Sequence, residues 1–402
     1  MKRKIIAPLL LIFVFLSAIS VQADTDNMEI KRLSAISYRG NCEGKYAENS
    51  LQAIRSAGDA GADAVYVNIK FTSDGIAVLL ADDDLTRVTD CEETTPVSEM
   101  TLEQVKTYHT KIGYGGVHAD TTPHTIYTLA EIYKSIENSV PLMLDFEWEH
   151  FDEVYNTVKD SLGLHTAIFV CRCSVKEYNE KISSLDTVPN TVLYRKTNIV
   201  FTSLSVLKAT NESYKGSAWL ATSNTYGVNW YKSVAKNADK ELYVCTAEPD
   251  LCGQRYDTES YWDDLVSRGY TAIISDNIEK LVEFRDESYE AATVLAEKIA
   301  SEDEINRDYD SLTAYSAIEY VKAYNDAYQD SVDALTHICG KREANECIYK
   351  IDAAVKNIEL NFTELSDGTA GKTVNISRIL ICLAATALVI AAEVYCWKKR
   401  KR

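Results

Sequence analysis

The sequence predicts an α/β protein, namely a TIM-type (β/α)8 barrel followed by a small helical bundle and one transmembrane helix. Short β-rich runs alternate with helical stretches from about residue 33 to residue 284, which is the length and rhythm of eight strands with helical crossovers. Beyond residue 284 only helical periodicity remains, and the chain ends in an apolar segment followed by a basic tail. A doubly wound open sheet is the alternative for the α/β part, because strand rhythm alone does not separate the two folds.

Eight candidate strands are predicted from short runs rich in β-branched and aromatic residues. They are 34–38, 64–71, 77–81, 142–147, 167–171, 191–194, 242–246 and 272–275. The helices predicted between them include 50–60, 102–108, 129–137 and 262–268. Along 64–71, Val65 and Val67 alternate with Tyr66 and Asn68, so one face of this strand is apolar and the other is polar. A polar face on a buried barrel strand predicts a site at the barrel mouth.

Both ends of the chain carry membrane-targeting patterns. Residues 1–23 combine basic residues, an apolar run and small residues, which predicts a secretory signal peptide. Within the predicted span 378–397, residues 379–397 are apolar apart from Glu393, and the basic tail 398–402 follows directly. This pattern predicts a single transmembrane helix with a cytoplasmic C-terminus, the alternative being a buried core helix. The expected location is the plasma membrane, with the ectodomain at the cell surface.

The net charge limits the possible binding partners, and the cysteine content bears on disulfide formation in an exported protein. A formal charge of −18 argues against nucleic acid as a partner, because such binding needs clustered cations. Of the ten cysteines, Cys382 and Cys396 lie in the predicted span and eight lie in the exported part. This even number in an oxidising compartment predicts disulfides, and the candidate pairs are Cys42 with Cys91, Cys245 with Cys252 and Cys339 with Cys347. A zinc site is disfavoured because the spacings of these cysteines differ from the CxxC spacing of zinc sites.

The region after the barrel is predicted to form a separate helical module. Apolar residues recur at helical spacing in 315–324 and again in 348–358, which predicts a three-helix bundle over 286–364 after a barrel domain over 28–285. The stretches "YDSLTAYSAIEYVKAYNDAYQDSVDALTH" and "EANECIYKIDAAVKNIEL" resemble the FIVAR-type helical modules of Gram-positive surface proteins. Residues 365–377 then form the expected linker to the membrane.

A series of short motifs runs through the barrel region in a fixed order. They are "YRG" at 38–40, "ENS" at 48–50, "GAD" at 61–63, "YVN" at 66–68, "TSDG" at 72–75 and "AD" at 81–82, followed by "LMLDFEWE", "LYVCTAEPD" and "YTAIISDNIEKLVEF". The series resembles the glycerophosphodiester phosphodiesterase family, whose first motifs are His-Arg-Gly, Glu-Asn-Thr, Gly-Ala-Asp, Glu-x-Asp, Thr-x-Asp-Gly and His-Asp. The resemblance implies a phospholipase C-like phosphodiesterase barrel. It also implies a divalent cation held by carboxylates, two proton-transferring histidines and a phosphate-binding arginine, which here is Arg39.

Most of that implied machinery is replaced in this chain. Tyr38 and Ala81 stand at the two histidine positions, and Tyr66 and Asn68 stand at the two carboxylate positions of the second strand. A phenol, which ordinarily ionises at about pH 10, is a poor base at neutral pH, and alanine moves no proton. The residues predicted to retain weak cation binding are Glu147, Glu48, Asp82 and Asn68. The sequence therefore predicts no cofactor, with calcium or magnesium required if the site is active.

The retained residues also have structural interpretations. Arg39 is either a phosphate ligand or the partner of Glu48 or Asp82 in an ion pair. The acidic run 82–84 is predicted to be a solvated turn rather than a calcium loop. On the fourth strand we expect Glu147 to point inward and Asp145 to be a displaced, hydrogen-bonded residue.

Two classes of function follow from these patterns. One is a catalytically inactive, membrane-anchored surface module that binds a glycerophosphodiester-like, cell-wall or surface ligand. The 25 tyrosines, many in predicted loops, suit such recognition as well as ordinary packing. The other is an active metal-dependent phosphodiesterase with a variant site, acting on glycerophosphodiesters or related wall polymers. The replaced ligands favour the first class.

Overall fold

The computed structural model describes residues 29–42, 44–136, 140–161, 163–195, 212–222, 240–247, 257–309 and 319–362. Its strands are β1 (Ser34–Tyr38), β2 (Ala64–Phe71), β3 (Ala77–Leu79), β4 (His109–Lys111), β5 (Thr121–Thr125), β6 (Leu142–Asp145), β7 (Ala167–Cys171), β8 (Asn190–Arg195), β9 (Ala218–Thr222), β10 (Glu241–Cys245) and β11 (Ala272–Ser275). Strands β1, β2 and β6 to β11 are parallel neighbours in chain order, and β11 pairs with β1. The predicted eight-stranded parallel barrel is confirmed, and the open sheet is excluded.

The helices that accompany these strands begin at residues suited to helix starts. They are α1 (Leu51–Asp59), α2 (Leu102–Val105), α3 (Leu129–Ile136), α4 (Phe151–Asp160), α5 (Val175–Ser183), α6 (Glu259–Ser267), α7 (Ile278–Tyr309), α8 (Glu319–Leu335) and α9 (Lys341–Phe362). Ser50 caps α1 by accepting from the Ala53 backbone, and Ser174 forms a capping box with Glu177 before α5. Helices α4 and α5 were not among those predicted from the sequence.

The identity of one barrel strand differs from the sequence prediction. Of the predicted run 77–81, residues 77–79 form β3, a short strand that pairs antiparallel with β2 outside the ring. The barrel strand missing from the prediction is β9, which lies between β8 and β10. Its run Ala-Trp-Leu-Ala-Thr has little β-branched content, whereas 77–81 is a short apolar run of the kind that periodicity cannot assign to a ring or a hairpin.

Strand alternation separates two apolar layers. Val65, Val67 and Leu144 point outward and pack with helix residues such as Ile54, while Tyr38, Tyr66 and Met143 point into the barrel. The register aligns Tyr38 with Tyr66 and Asn68 with Asp145. The polar face of β2 therefore lies inside the barrel, at the end where the parallel strands finish.

The glycine after Arg39 permits close contact between β1 and α1. Gly40 has φ of +90°, and a Cβ at this position would lie 2.7 Å from Ala53. Only glycine fits this approach without displacing backbone. Arg39 itself has φ of 60°, in the left-handed region that a residue with a side chain rarely adopts.

The described residues divide into two compact units. The first contains the barrel, α7 as far as Ala300 and residues 332–345; the second contains residues 301–309, 319–331 and 346–362. Helix α7 continues through the domain boundary predicted at residue 285. In the second unit, Tyr324 and Ile351 are buried. The bundle predicted over 286–364 and its FIVAR resemblance stay predictions.

The predicted membrane-targeting segments lie outside the part of the chain that the structure describes. Among the helices of the described ranges, none is both long and apolar enough to cross a membrane. The predicted signal peptide at 1–23, the linker at 365–377, the span at 378–397 and the tail at 398–402 lie outside the described residues, as does Cys252.

The predicted disulfides of the described cysteines are not formed. Cys42, Cys91, Cys339 and Cys347 are thiols in the structure. Cys91 packs in a separate apolar cluster beneath β3 with Val78.

Candidate functional site

One side-chain cluster inside the barrel mouth is centred on Asp145, the last residue of β6. Its carboxylate is buried and accepts hydrogen bonds from Arg172 at 2.5 Å (Nε to Oδ1) and 2.8 Å (Nη2 to Oδ2). Tyr66 donates its hydroxyl to the same carboxylate, and Asn68 donates its amide at 3.2 Å. The guanidinium of Arg172 also lies 4.0 Å from the centre of the Tyr194 ring, within cation–π range. We call these five residues the Asp145 cluster.

The electrostatics of the Asp145 cluster fix its protonation. Burial, and then the neighbouring Asp145 charge, raise the pKa of Tyr66 well above its ordinary value. Tyr66 therefore stays protonated at neutral pH and acts as a donor, not as a base. Burial alone would lower the pKa of Arg172, but the hydrogen bonds and charge of Asp145 outweigh it and raise that pKa. The arginine is a permanent cation.

A second cluster surrounds Glu48, whose side chain is 3% exposed. Arg87 donates to Glu48 from both terminal nitrogens at 2.8 Å, and it donates to Asp82 from Nε at 2.6 Å and from Nη2 at 2.8 Å. Arg39 donates to Glu48 at 3.1 Å. We call Glu48, Arg87, Asp82 and Arg39 the Glu48 cluster. Both of its carboxylates are occupied by guanidinium groups.

Two stacked tyrosines connect the clusters. The rings of Tyr38 and Tyr66 are 5.6 Å apart between centroids and nearly parallel. Arg39 donates to the Tyr38 hydroxyl at 2.6 Å, and its guanidinium lies 4.5 Å from the centre of that ring. The left-handed backbone of Arg39 turns its side chain back over the mouth, and strain of this kind concentrates at functional sites.

Two of the predicted site residues lie away from these clusters. Glu147, which the sequence predicts to point inward, follows β6 with a 56% exposed side chain, and its Oε1 accepts from Lys70 at 3.2 Å. Asp145 takes the inward position instead, because β6 ends there and alternation places Met143 and Asp145 on the interior face. Ala81 follows β3 and is partly buried.

Arg172 and Arg87 were not predicted from the sequence as site residues. Arg172 lies two residues after the inward-pointing Val170, so strand alternation could have placed it in the barrel mouth. Arg87 lies on the loop after β3, where no periodicity predicts a direction. Its pairing with Glu48 depends on a contact 39 residues away in sequence.

Comparison with known proteins now assigns the barrel to a family. The model of the glycerophosphoryl diester phosphodiesterase family matches residues 39–280, more than half of the chain. The chain belongs to the glycerophosphoryl diester phosphodiesterase family. The match begins at Arg39 and ends within α7, so it covers both side-chain clusters.

Relatives in the same family share only part of their length with the chain. Human glycerophosphodiester phosphodiesterase 1 is 44% identical over 75 residues, which are 19% of this chain and 22% of the human protein. The glycerophosphodiester phosphodiesterase of Caldanaerobacter subterraneus is 30% identical over 97 residues, 24% of this chain and 39% of that one. The chain thus aligns with about a fifth of the human relative.

Solved structures support the barrel fold. A glycerophosphoryl diester phosphodiesterase from Parabacteroides distasonis superposes with a TM-score of 0.50, covering 64% of this chain and 87% of that one, at 17% identity. At this identity the similarity supports the fold alone.

The donor set does not fit the divalent cation that the family resemblance implies. At the strand ends where carboxylates are expected, the interior offers the Tyr66 hydroxyl, the Asn68 amide and one carboxylate, Asp145, which Arg172 already grips through both oxygens. Within the described ranges, no three His, Cys, Asp or Glu side chains converge as a metal site. Calcium and magnesium are bound by several oxygen ligands with a net negative charge, which a guanidinium at the same place opposes.

Proposed function

We propose that the chain is a catalytically inactive member of the glycerophosphoryl diester phosphodiesterase family that binds a ligand at its barrel mouth and presents it at the cell surface. The observation that carries this proposal is the Arg172 guanidinium on Asp145, the carboxylate at the expected cation position. A cation would have to displace a fixed positive charge before it could bind.

The groups that would move protons support the same proposal. The Tyr38 hydroxyl accepts a hydrogen bond from Arg39, and Tyr66 is kept protonated by its surroundings. Ala81 has no proton to exchange. Each missing proton-transferring group typically costs about 10²- to 10⁴-fold in rate, so losing two leaves roughly 10⁴-fold less catalysis or worse.

The cell-surface part of the proposal rests on the sequence. The signal-peptide pattern at 1–23 and the apolar segment at 378–397 with its basic tail indicate export and anchoring by a single span. The ligands that suit a family barrel on a cell surface are a glycerophosphodiester, a cell-wall polymer or another surface molecule.

Release of glycerol 3-phosphate tests the proposal. The full-length chain is incubated in detergent with glycerophosphocholine or glycerophosphoglycerol, with calcium, with magnesium and with EDTA. We expect no release above a buffer blank under any condition. Metal-dependent release that Asp145→Asn abolishes would instead establish an active phosphodiesterase with a variant site and overturn the proposal.

A further inference from the structure

The position of Arg172 is fixed from three sides. Asp145 holds Nε and Nη2, the Tyr66 hydroxyl lies 3.5 Å from Nη2, and the Tyr194 ring lies against the guanidinium plane. The side chain is 33% exposed, whereas Asp145 beneath it is 7% exposed. The guanidinium therefore covers the carboxylate and presents its outer edge to the barrel mouth.

The hydrogen-bonding capacity of Arg172 is not exhausted by these contacts. Among the described residues, its Nη1 has no hydrogen-bond partner, so two N–H groups remain for a ligand. Arg87, with a similar exposure of 30%, uses Nε, Nη1 and Nη2 on carboxylates or the Tyr114 carbonyl. Arg172 therefore has N–H groups available for a ligand, whereas the nitrogens of Arg87 are already used.

We propose that Arg172 is a resident cation of the barrel mouth and binds a tetrahedral oxyanion, a phosphate monoester or diester, without a divalent metal ion. This inference rests on the proposed function, because it assumes that the mouth binds rather than cleaves. A guanidinium held by a carboxylate and an aromatic ring is already oriented, so binding costs little side-chain entropy. Arg39 lies near the same mouth, across the stacked tyrosines, but its charge is balanced by Glu48.

The charge balance sets the expected strength. Asp145 and Arg172 neutralise one another, as do the acidic and basic groups of the Glu48 cluster, so the attraction comes from oriented N–H groups rather than from net charge. We therefore expect weak binding that weakens further with salt, because exposed charge interactions are screened.

Calorimetric titration of the full-length chain in EDTA tests the inference. The probes are inorganic phosphate, glycerol 3-phosphate and glycerophosphoglycerol, which separate free phosphate, a monoester and a diester, with chloride at equal ionic strength as the blank. We expect at least one of the three phosphate probes to bind in EDTA with unchanged affinity after calcium is added. Binding that appears only with calcium, or no binding of any probe, would overturn the inference.

Substitutions at Arg172 and Lys70 test whether Arg172 is the residue that binds the phosphate probe. Arg172→Lys keeps the charge that neutralises Asp145 but removes the planar donor edge, and we expect affinity to fall about tenfold or more. Lys70→Gln is the matched control, because it removes a cation near the same strand ends that is paired with Asp83 and Glu147. Equal losses of affinity in Arg172→Lys and Lys70→Gln would show a general charge effect and contradict the inference. If the Arg172→Lys variant fails to fold, Arg172→Gln is used in its place.

Measuring glycerol 3-phosphate release in the same samples separates the two proposals. Binding in EDTA without release supports both. Release overturns the proposed function, whereas absence of both release and binding leaves the barrel inactive and overturns only the role of Arg172.

Discussion

At the residue scale, Glu48 shows how a buried carboxylate is stabilised in the barrel mouth. Its carboxylate is almost fully buried and contacts two guanidinium groups, those of Arg39 and Arg87. A buried charge is tolerated when its partners satisfy its hydrogen bonds, and removing one partner leaves the others uncompensated.

Substitution of Glu48 is expected to be severe. Glu48→Gln removes the charge between Arg39 and Arg87 and should lower the free energy of unfolding by about 3–5 kcal/mol. The control is Asp83→Asn, which breaks an ion pair with Lys70 at a carboxylate whose side chain is 85% exposed and should cost less than about 1 kcal/mol. Urea denaturation measures both values. Similar losses in the two variants would contradict the role assigned to burial.

The reactivity of the Cys42 thiol is a second property that depends on the surroundings of a single residue. Burial raises the pKa of Cys42 to about 12 from its ordinary value of 9.0, so at pH 8 its thiolate is about a thousandfold scarcer than that of an ordinary cysteine. Iodoacetamide at pH 8 should leave Cys42 unlabelled in the native chain and label it in urea without reductant, as mass spectrometry of peptides can show. Resistance to labelling in urea would instead show that Cys42 is oxidised and would contradict the free thiol.

At the element scale, the connection between β1 and α1 positions Arg39. The strand ends at Tyr38, Arg39 adopts a left-handed backbone, and Gly40 passes against Ala53 of α1. The mouth geometry thus depends on one tight turn.

Gly40→Ala should disturb this turn. The new Cβ would lie 2.7 Å from Ala53 at a φ of +90°, so we expect a loss of about 2 kcal/mol or more in the free energy of unfolding. Gly75→Ala, in the turn between β2 and β3, has a φ of +78° but no atom within 4 Å of the added Cβ, and should cost only about 1 kcal/mol. Thermal and urea unfolding measure the difference. A smaller loss for Gly40→Ala than for Gly75→Ala would exclude the close approach as the cause.

At the scale of the whole molecule, the barrel brings residues from β2, β6 and the end of β7 to one mouth. The family fold is retained, while the cation position implied by the family holds an ion pair. An ion pair at the strand ends is compatible with the family architecture, because the layers that support the strands are separate from the strand-end residues.

Restoring carboxylates should restore cation binding. In the variant Tyr66→Glu/Asn68→Asp/Arg172→Ala, the two new carboxylates join Asp145 without a guanidinium, so like-charge repulsion should lower the melting temperature. Millimolar calcium should then raise the melting temperature of this variant by several degrees. In a small domain each kcal/mol of stabilisation raises the melting temperature by about 4–8 °C, and in a larger chain such as this one the rise is smaller. The parent chain and the neutral variant Tyr66→Gln/Arg172→Ala should not respond. A calcium response of the parent chain equal to that of the variant would contradict the misfit of the native donor set.

Motif order and strand alternation are local properties, so the amino-acid sequence was enough to predict the family barrel and the polar inner face of β2. The closed barrel was needed to show that β9 rather than 77–81 completes the ring, that Asp145 rather than Glu147 points inward, and that Arg172 rests on Asp145. These outcomes depend on where β6 ends and how the strands align across the closed barrel. Register and closure are set by the packing of distant segments, which local pattern does not specify.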